Sequence, residues 1–388
     1  MPFASIFKIS GSLPSSLIIL FTIYIIHILF QKNIQIKKID ILYLILFTLF
    51  QFISTTFYQG SYANFLSFIL NVLFMKVCIL SFSKYNNKTK ILYNCTYIFS
   101  SAMGMSIIIA DVFPGIPYIV SRDKQALLMS INRFSGLNAD PNYYSQLVLV
   151  AVCLIIASLL LKMKKSSLIL MFVCLFLIIN GFRSISKSYA LSIIVILATS
   201  LYYFRNSINF NSFNSKFKRI LLSLVFINVG IISLIFIVKK LVIPVFQMRT
   251  ETDDILTGRG DIWADYVELL FIKPEILLIG VGFSNDANIL SQELGIYMAP
   301  HNIFLELLVG CGVFGLLLLL LLFRELFKYV KNTIKSPYFM LIIILLFTSF
   351  GLSLSSNDAF YILVPLIILF RIGVNSNEKT SDNYTHTS

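Results

Sequence analysis

The chain has 388 residues, of which 57% are hydrophobic and 13% charged, with a mean hydropathy of +0.86 and a formal net charge of +13. Soluble domains carry roughly a quarter charged residues, so this balance excludes an ordinary water-soluble globule. The positive charge does not mark a nucleic-acid binder, because the Lys and Arg residues fall in short stretches between long apolar runs.

A membrane-spanning helix needs about 20 apolar residues, since the hydrocarbon core is about 30 Å thick. Taken in chain order, the apolar runs predict spans at 14–30, 39–57, 62–82, 91–113, 143–161, 166–182, 188–204, 220–243, 303–323, 338–355 and 358–370. In lipid each must be helical, because every backbone N–H and C=O needs an internal partner. The expected fold is therefore all-α: a polytopic bundle of about 11 transmembrane helices, forming a single membrane domain over 1–388. Only Lys8 precedes the first run and no small-residue cleavage pattern follows it, so 14–30 reads as a retained helix. The five cysteines (Cys78, Cys95, Cys153, Cys174 and Cys311) lie in apolar stretches without regular spacing, which argues against a disulfide framework or a zinc site.

Orientation follows from the bases. The connections 31–38, 83–90, 162–165, 205–219 and 324–337, with the tail after 370, carry 19 Lys and Arg, against 11 on the opposite side. The first side is the cytoplasm by the positive-inside rule. This leaves an outer loop at 114–142, a large extracytoplasmic loop at 244–302 and a cytoplasmic tail at 371–388 that is expected to be disordered. Arginine makes up 4 of the 19 inner bases but 5 of the 11 outer ones: Arg122, Arg133, Arg183, Arg249 and Arg259. Its planar fork binds phosphate in a way Lys cannot, which hints at an anionic ligand outside. Lys76 and Asp111, near span ends, are expected to snorkel to the interface.

The large loop is partly helical. From Asp261 to Ile272, helical spacing aligns Trp263, Tyr266, Val267, Leu270 and Phe271, a pattern that suits a helix along the membrane surface, with Asp261 as its cap. Pro274, Gly280 and Gly282 mark turns, and Asp286 opens a second short helix that ends at Gly295.

The strongest local signal is His301-Asn302, a nine-residue gap, and Gly312-Val313-Phe314-Gly315. It sets an imidazole at the outer mouth of a helix whose small residues admit a close neighbour. Upstream stand Arg259-Gly-Asp-Ile-Trp263 and Pro274 with Gly280 and Gly282. Arg133-Phe-Ser-Gly136 with Pro141-Asn142, and Arg183-Ser184 with Ser188-Tyr189, form two earlier polar blocks. From about 130 to 323, this order of motifs resembles the O-antigen ligase and polysaccharide polymerase superfamily (Wzy-like and WaaL-like membrane glycosyltransferases). That superfamily commonly has more spans and an N-terminus inside the cell, whereas the count here puts the N-terminus outside.

The resemblance implies a glycosyltransferase that works without a nucleotide sugar. It would join a glycan carried on undecaprenyl diphosphate to another glycan hydroxyl on the outer side of the bacterial cell membrane. The candidate catalytic residues are His301, as general base, and Arg259, at the departing diphosphate. Arg133, Arg183, Arg249, Asn302 and Trp263 are candidates for binding the lipid diphosphate or glycan. No metal and no cofactor is expected. Expected partners are the lipid-linked glycan, membrane lipids, and the flippase and chain-length regulator of a polysaccharide pathway. Each residue also has a plainer reading. His301 could simply cap a helix and Arg259 could hold Asp265, while turns and caps account for Asp140, Asp261 and Asp265. A transporter, the competing class, predicts paired broken helices and charges at the midplane.

Overall fold

A computed structural model describes residues 37–84, 88–113, 133–138, 140–161, 167–207, 259–326 and 336–354, with isolated positions at 239, 360, 361 and 364. The predicted span 14–30, the span 220–243 apart from position 239, most of 358–370, the segments 114–132 and 244–258 with Arg249, and the tail 371–388 lie outside the described residues.

Every described element is helical. In chain order they are α1 (Lys38–Phe57), α2 (Tyr62–Lys84), α3 (Lys88–Val112), α4 (Pro141–Leu160), α5 (Ser167–Phe182) and α6 (Lys187–Ser207), then α7 (Arg259–Ile272), α8 (Pro274–Ile279), α9 (Asp286–Leu294), α10 (Ile303–Leu322) and α11 (Phe339–Ser349). Among the described residues, five helices are long and apolar enough to cross a membrane: α1, α2, α3, α4 and α10. Three apolar helices are shorter, at Leu168–Phe182, Lys187–Tyr203 and Phe339–Ser349.

Most predicted boundaries agree with these helices to within a few residues because caps and turns mark them, but the helix predicted to run to 355 ends at Ser349. Asp140 accepts from the Asn142 N–H with Pro141 in the first turn, which starts α4. Gly295 takes a left-handed conformation (φ 73°) that ends α9 where the sequence placed its end.

α4 is the hub. Its Val148, Leu149, Val150, Ala151, Val152 and Cys153 are all buried, against α3, α5, α6 and α11. A helix buried on all faces carries no amphipathic stripe, which fits this unbroken apolar run. Its few polar groups pair across helices: Gln146 Nε2 donates to Thr348 Oγ1 at 2.9 Å, and Ser158 and Thr96 share a hydrogen bond at 3.2 Å. A second core joins α1, α2 and α10, where Phe283 stacks on Phe68 with centroids 3.7 Å apart.

The outer segment folds onto the top of α10. Ile262, Tyr266 and Leu269 of α7 pack with Ile276, Val281, Ile289, Leu290 and Val309 in a third core. Burial differs from the predicted stripe by a fraction of a turn, because α7 covers α8 and α9: Val267 and Phe271 point outward. Asp261 lies in the first turn of a helix that already begins at Arg259, where its charge suits the helix dipole, and so it is not the cap.

The paired-glycine motif does admit a close neighbour, but the neighbour is the loop after α8. α10 breaks at Gly312, whose φ of 64° suits only a residue without a side chain. A Cβ there would stand 2.5 Å from the Gly280 nitrogen and from the Leu278 carbonyl oxygen. The break frees carbonyls of the helix, and the loop takes them: Val281 N–H donates to Val309 and Gly282 N–H to Gly310, at 2.9 and 3.0 Å.

Lys76 departs from its expected snorkelling. It is buried, donates to the Leu322 carbonyl at 2.9 Å and pairs with Asp40 at 3.3 Å, while Arg324 holds the other Asp40 oxygen. A charge this far from water is tolerable only when paired, and α1 supplies the partner. Asp111 stays half-exposed at the end of α3 and is gripped by Arg183 through both oxygens at 2.7 and 2.8 Å.

Candidate active site

The polar segments that the sequence placed on one side gather at one end of the bundle. The α4 N-terminus stands between two groups of side chains there.

On one flank, Arg133 Nε donates to the Ser184 carbonyl and its Nη2 to the Asn142 side chain, both at 2.9 Å. The Phe134 N–H donates to the Arg183 carbonyl, and the Arg183 guanidinium lies 3.9 Å over the Phe134 ring. Arg133 and Arg183 therefore tie the outer loop to the turn between α5 and α6. The predicted pair is brought together, with Arg183 largely neutralised by Asp111.

The other flank holds His301 and Arg259. Trp263 Nε1 donates to the Pro300 carbonyl at 2.9 Å, and Asn302 Oδ1 accepts from the Phe304 and Leu305 N–H groups to cap α10. These two bonds pin the backbone on either side of His301, which sits at a φ of 45°, a region a non-glycine residue seldom occupies. Trp263 and Asn302, predicted to bind ligand, thus both set the pose of the imidazole.

The floor of this flank is the turn after α11. Ser353 Oγ lies 3.3 Å from His301 Nδ1, and the Arg259 guanidinium lies against Gly351, 3.1 Å from where a Cβ would stand. The Ser353 carbonyl accepts from Tyr143 Oη of α4 at 3.1 Å, and the Leu354 N–H donates to the Glu306 carboxylate of α10. Imidazole and guanidinium thus rest on one short turn held by two helices.

The electrostatics favour a neutral imidazole. Surrounding protein lowers the His301 pKa below its ordinary value although the residue keeps an open face; the Arg259 charge lowers it further, and Asp140 opposes both. Farther out, Tyr266 Oη donates to Asp286 at 2.8 Å and to the Met298 carbonyl at 2.9 Å, locking α7 to α9. Burial raises the Asp286 pKa.

Sequence reasoning missed Ser353, Gly351, Tyr143 and Glu306. One signal was available: a carboxylate inside a predicted span, as Glu306 is, marks a buried partner or a functional site. Ser353 carried none, because 338–355 reads as a single apolar span.

Fold and site together define a helical membrane protein with an imidazole and a guanidinium beside one turn at one end of its bundle. Residues 170–320 match a family model described as O-antigen ligase, which supports the resemblance to the O-antigen ligase and polysaccharide polymerase superfamily. The match supports a ligase- or polymerase-type role. No curated protein and no solved structure matches the chain. The matched segment contains Arg183, Arg259, Trp263, His301 and Asn302, while Arg133, Tyr143 and Ser353 come from outside it.

Proposed function

We propose that this chain is a membrane glycosyltransferase. It joins oligosaccharide repeat units carried on undecaprenyl diphosphate into a surface polysaccharide, at the outer face of the bacterial cell membrane. One observation carries the reading: His301 and Arg259, far apart in sequence, share the Gly351–Ser353 turn.

The chemistry needs two things at that spot. A hydroxyl of the acceptor glycan attacks the anomeric carbon of the donor, forming one C–O bond, while the bond from that carbon to the diphosphate oxygen breaks. The lipid diphosphate leaves with the electron pair, and Arg259 stabilises its charge. The hydroxyl proton passes to neutral His301. Diphosphate is a stable anion, so no general acid is required. Arg133, Arg183 and Arg249 bind the lipid diphosphate or the growing chain.

The outward placement of this end rests on the excess of bases in the opposite connections. The flippase and chain-length regulator of a polysaccharide pathway are the expected partners. One feature favours the rival transporter class, namely the break in α10. Among the described residues it has no counterpart in another span, and the chain's own 280–282 loop fills it.

The family description favours a second reading, a ligase that moves finished glycan to a lipid or surface acceptor. The two readings differ only in acceptor. Purified protein given lipid-linked repeat units alone should build polymer if it is a polymerase. Transfer that waits for an added lipid or surface acceptor would make it a ligase, and no transfer to any glycan, lipid or surface acceptor would contradict both.

A further inference from the structure

We propose that Ser353 is a positioning residue that holds His301 in the tautomer with Nδ1 protonated, leaving Nε2 able to accept a proton. This rests on the reading of His301 as the base.

The backbone at His301 has no freedom to re-aim the ring, because Trp263 holds Pro300 and Asn302 is engaged in its cap. The ring is fixed by what it touches, and its Nδ1 lies 3.3 Å from Ser353 Oγ. The backbone that carries this hydroxyl is held in place. Ser353 is buried at 3% exposure, its carbonyl is held by Tyr143, and the next residue's N–H is held by Glu306. Three helices, α4, α10 and α11, thus converge to place one hydroxyl against one ring nitrogen.

The polarity of that contact decides whether the ring can work. If Ser353 donated to Nδ1, the ring's proton would sit on Nε2, and Nε2 could take no proton from a sugar hydroxyl. If Nδ1–H donates to Ser353, Nε2 carries a lone pair. The second arrangement also survives the reaction, since the imidazolium still donates through Nδ1. A hydroxyl is suited to this task. A carboxylate there would fix the same tautomer but raise the ring's pKa.

The test uses the full chain in lipid nanodiscs with ¹⁵N-labelled histidine. The sequence has three histidines, so the His301→Gln spectrum identifies the His301 signals by difference. The parent should show His301 neutral with its proton on Nδ1. Ser353→Ala should move the proton to Nε2 and lower kcat about tenfold to a hundredfold, a part of the roughly 10² to 10⁴ that general-base help supplies, with little change in KM for the donor. Ser353→Thr should restore both readouts. Should the Ala variant not insert, Ser353→Cys, a poor acceptor of the same size, gives the same comparison.

An unchanged tautomer in Ser353→Ala, or a changed tautomer with normal turnover, overturns the inference. The two failures are distinguishable. If His301→Gln turns over normally, the base assignment itself is wrong. If His301→Gln is inactive while Ser353→Ala matches the parent, only the role of Ser353 falls.

Discussion

At the scale of single residues, the proposed chemistry needs groups that no isosteric charge or amide replaces. Arg259→Lys keeps the charge but loses the planar fork, so transfer should drop at least tenfold with unchanged protein level in the membrane. Full retention would reduce Arg259 to a positioned charge. Asp140 offers a finer probe. Its carboxylate raises the His301 pKa, whereas burial and Arg259 lower it. Neutral imidazole is the active form, so activity is present above that pKa and lost as pH falls through it. Asp140→Asn keeps a capping side chain for α4 but removes the charge. The acid limb of the kcat profile should therefore move to lower pH. A limb that stays put, or moves upward, would show that another group titrates. The sequence displayed His301, Arg259, Arg133 and Arg183 through their motifs. It could not display Ser353, because a serine at the end of an apolar run differs from any other interfacial serine until the fold sets it against a ring.

At the scale of elements, the informative feature is the break in α10. The sequence showed two glycines three apart in an apolar run, and small residues in a span ordinarily mean a neighbouring helix. The conformation of Gly312 has no one-dimensional signature, since the same pair fits a straight helix. Only the Pro274–Gly282 stretch, folded back onto α10, reveals why Gly is needed. Gly312→Ala should cost about 1–3 kcal/mol or more, since a Cβ meets both strain and backbone atoms. Gly104→Ala, where a Cβ meets nothing within 4 Å and the helix is regular, should be neutral or stabilising. Thermal unfolding in detergent compares the two, and equal stabilities would contradict the packing described for Gly280 and Gly312. The short helices were more legible. Asp286 lies in the first turn of α9 and Gly295 ends it in a left-handed cap, whereas the buried face of α7 was misjudged because its partners, α8 and α9, come later in the chain.

At the scale of the whole molecule, alternation of the described helices puts Tyr58–Ser61, Arg133–Asn142, Arg183–Lys187, Arg259–Asn302 and Gly351–Leu354 at one end. Lys37, Asp40, Arg324 and Glu325 lie at the other. The base count made that division visible before the fold did, because short Lys-rich connections are a property of sequence alone. Which helices touch was not readable, since every span is apolar on most faces. Gln292→Cys should react with an impermeant maleimide on intact cells and Lys38→Cys only after lysis. The reverse pattern would place the site in the cytoplasm and end the proposed chemistry.

The central claim is that His301 takes the proton of the attacking hydroxyl. Membranes carrying His301→Gln, supplied with lipid-linked repeat units, test it most directly. Gln can still orient a hydroxyl but cannot accept its proton, so transfer should fall by about 10² to 10⁴ with accumulated unpolymerised donor and normal protein level. Polymer or ligated glycan formed at the parent rate would contradict it, leaving His301 a structural residue at the mouth of α10.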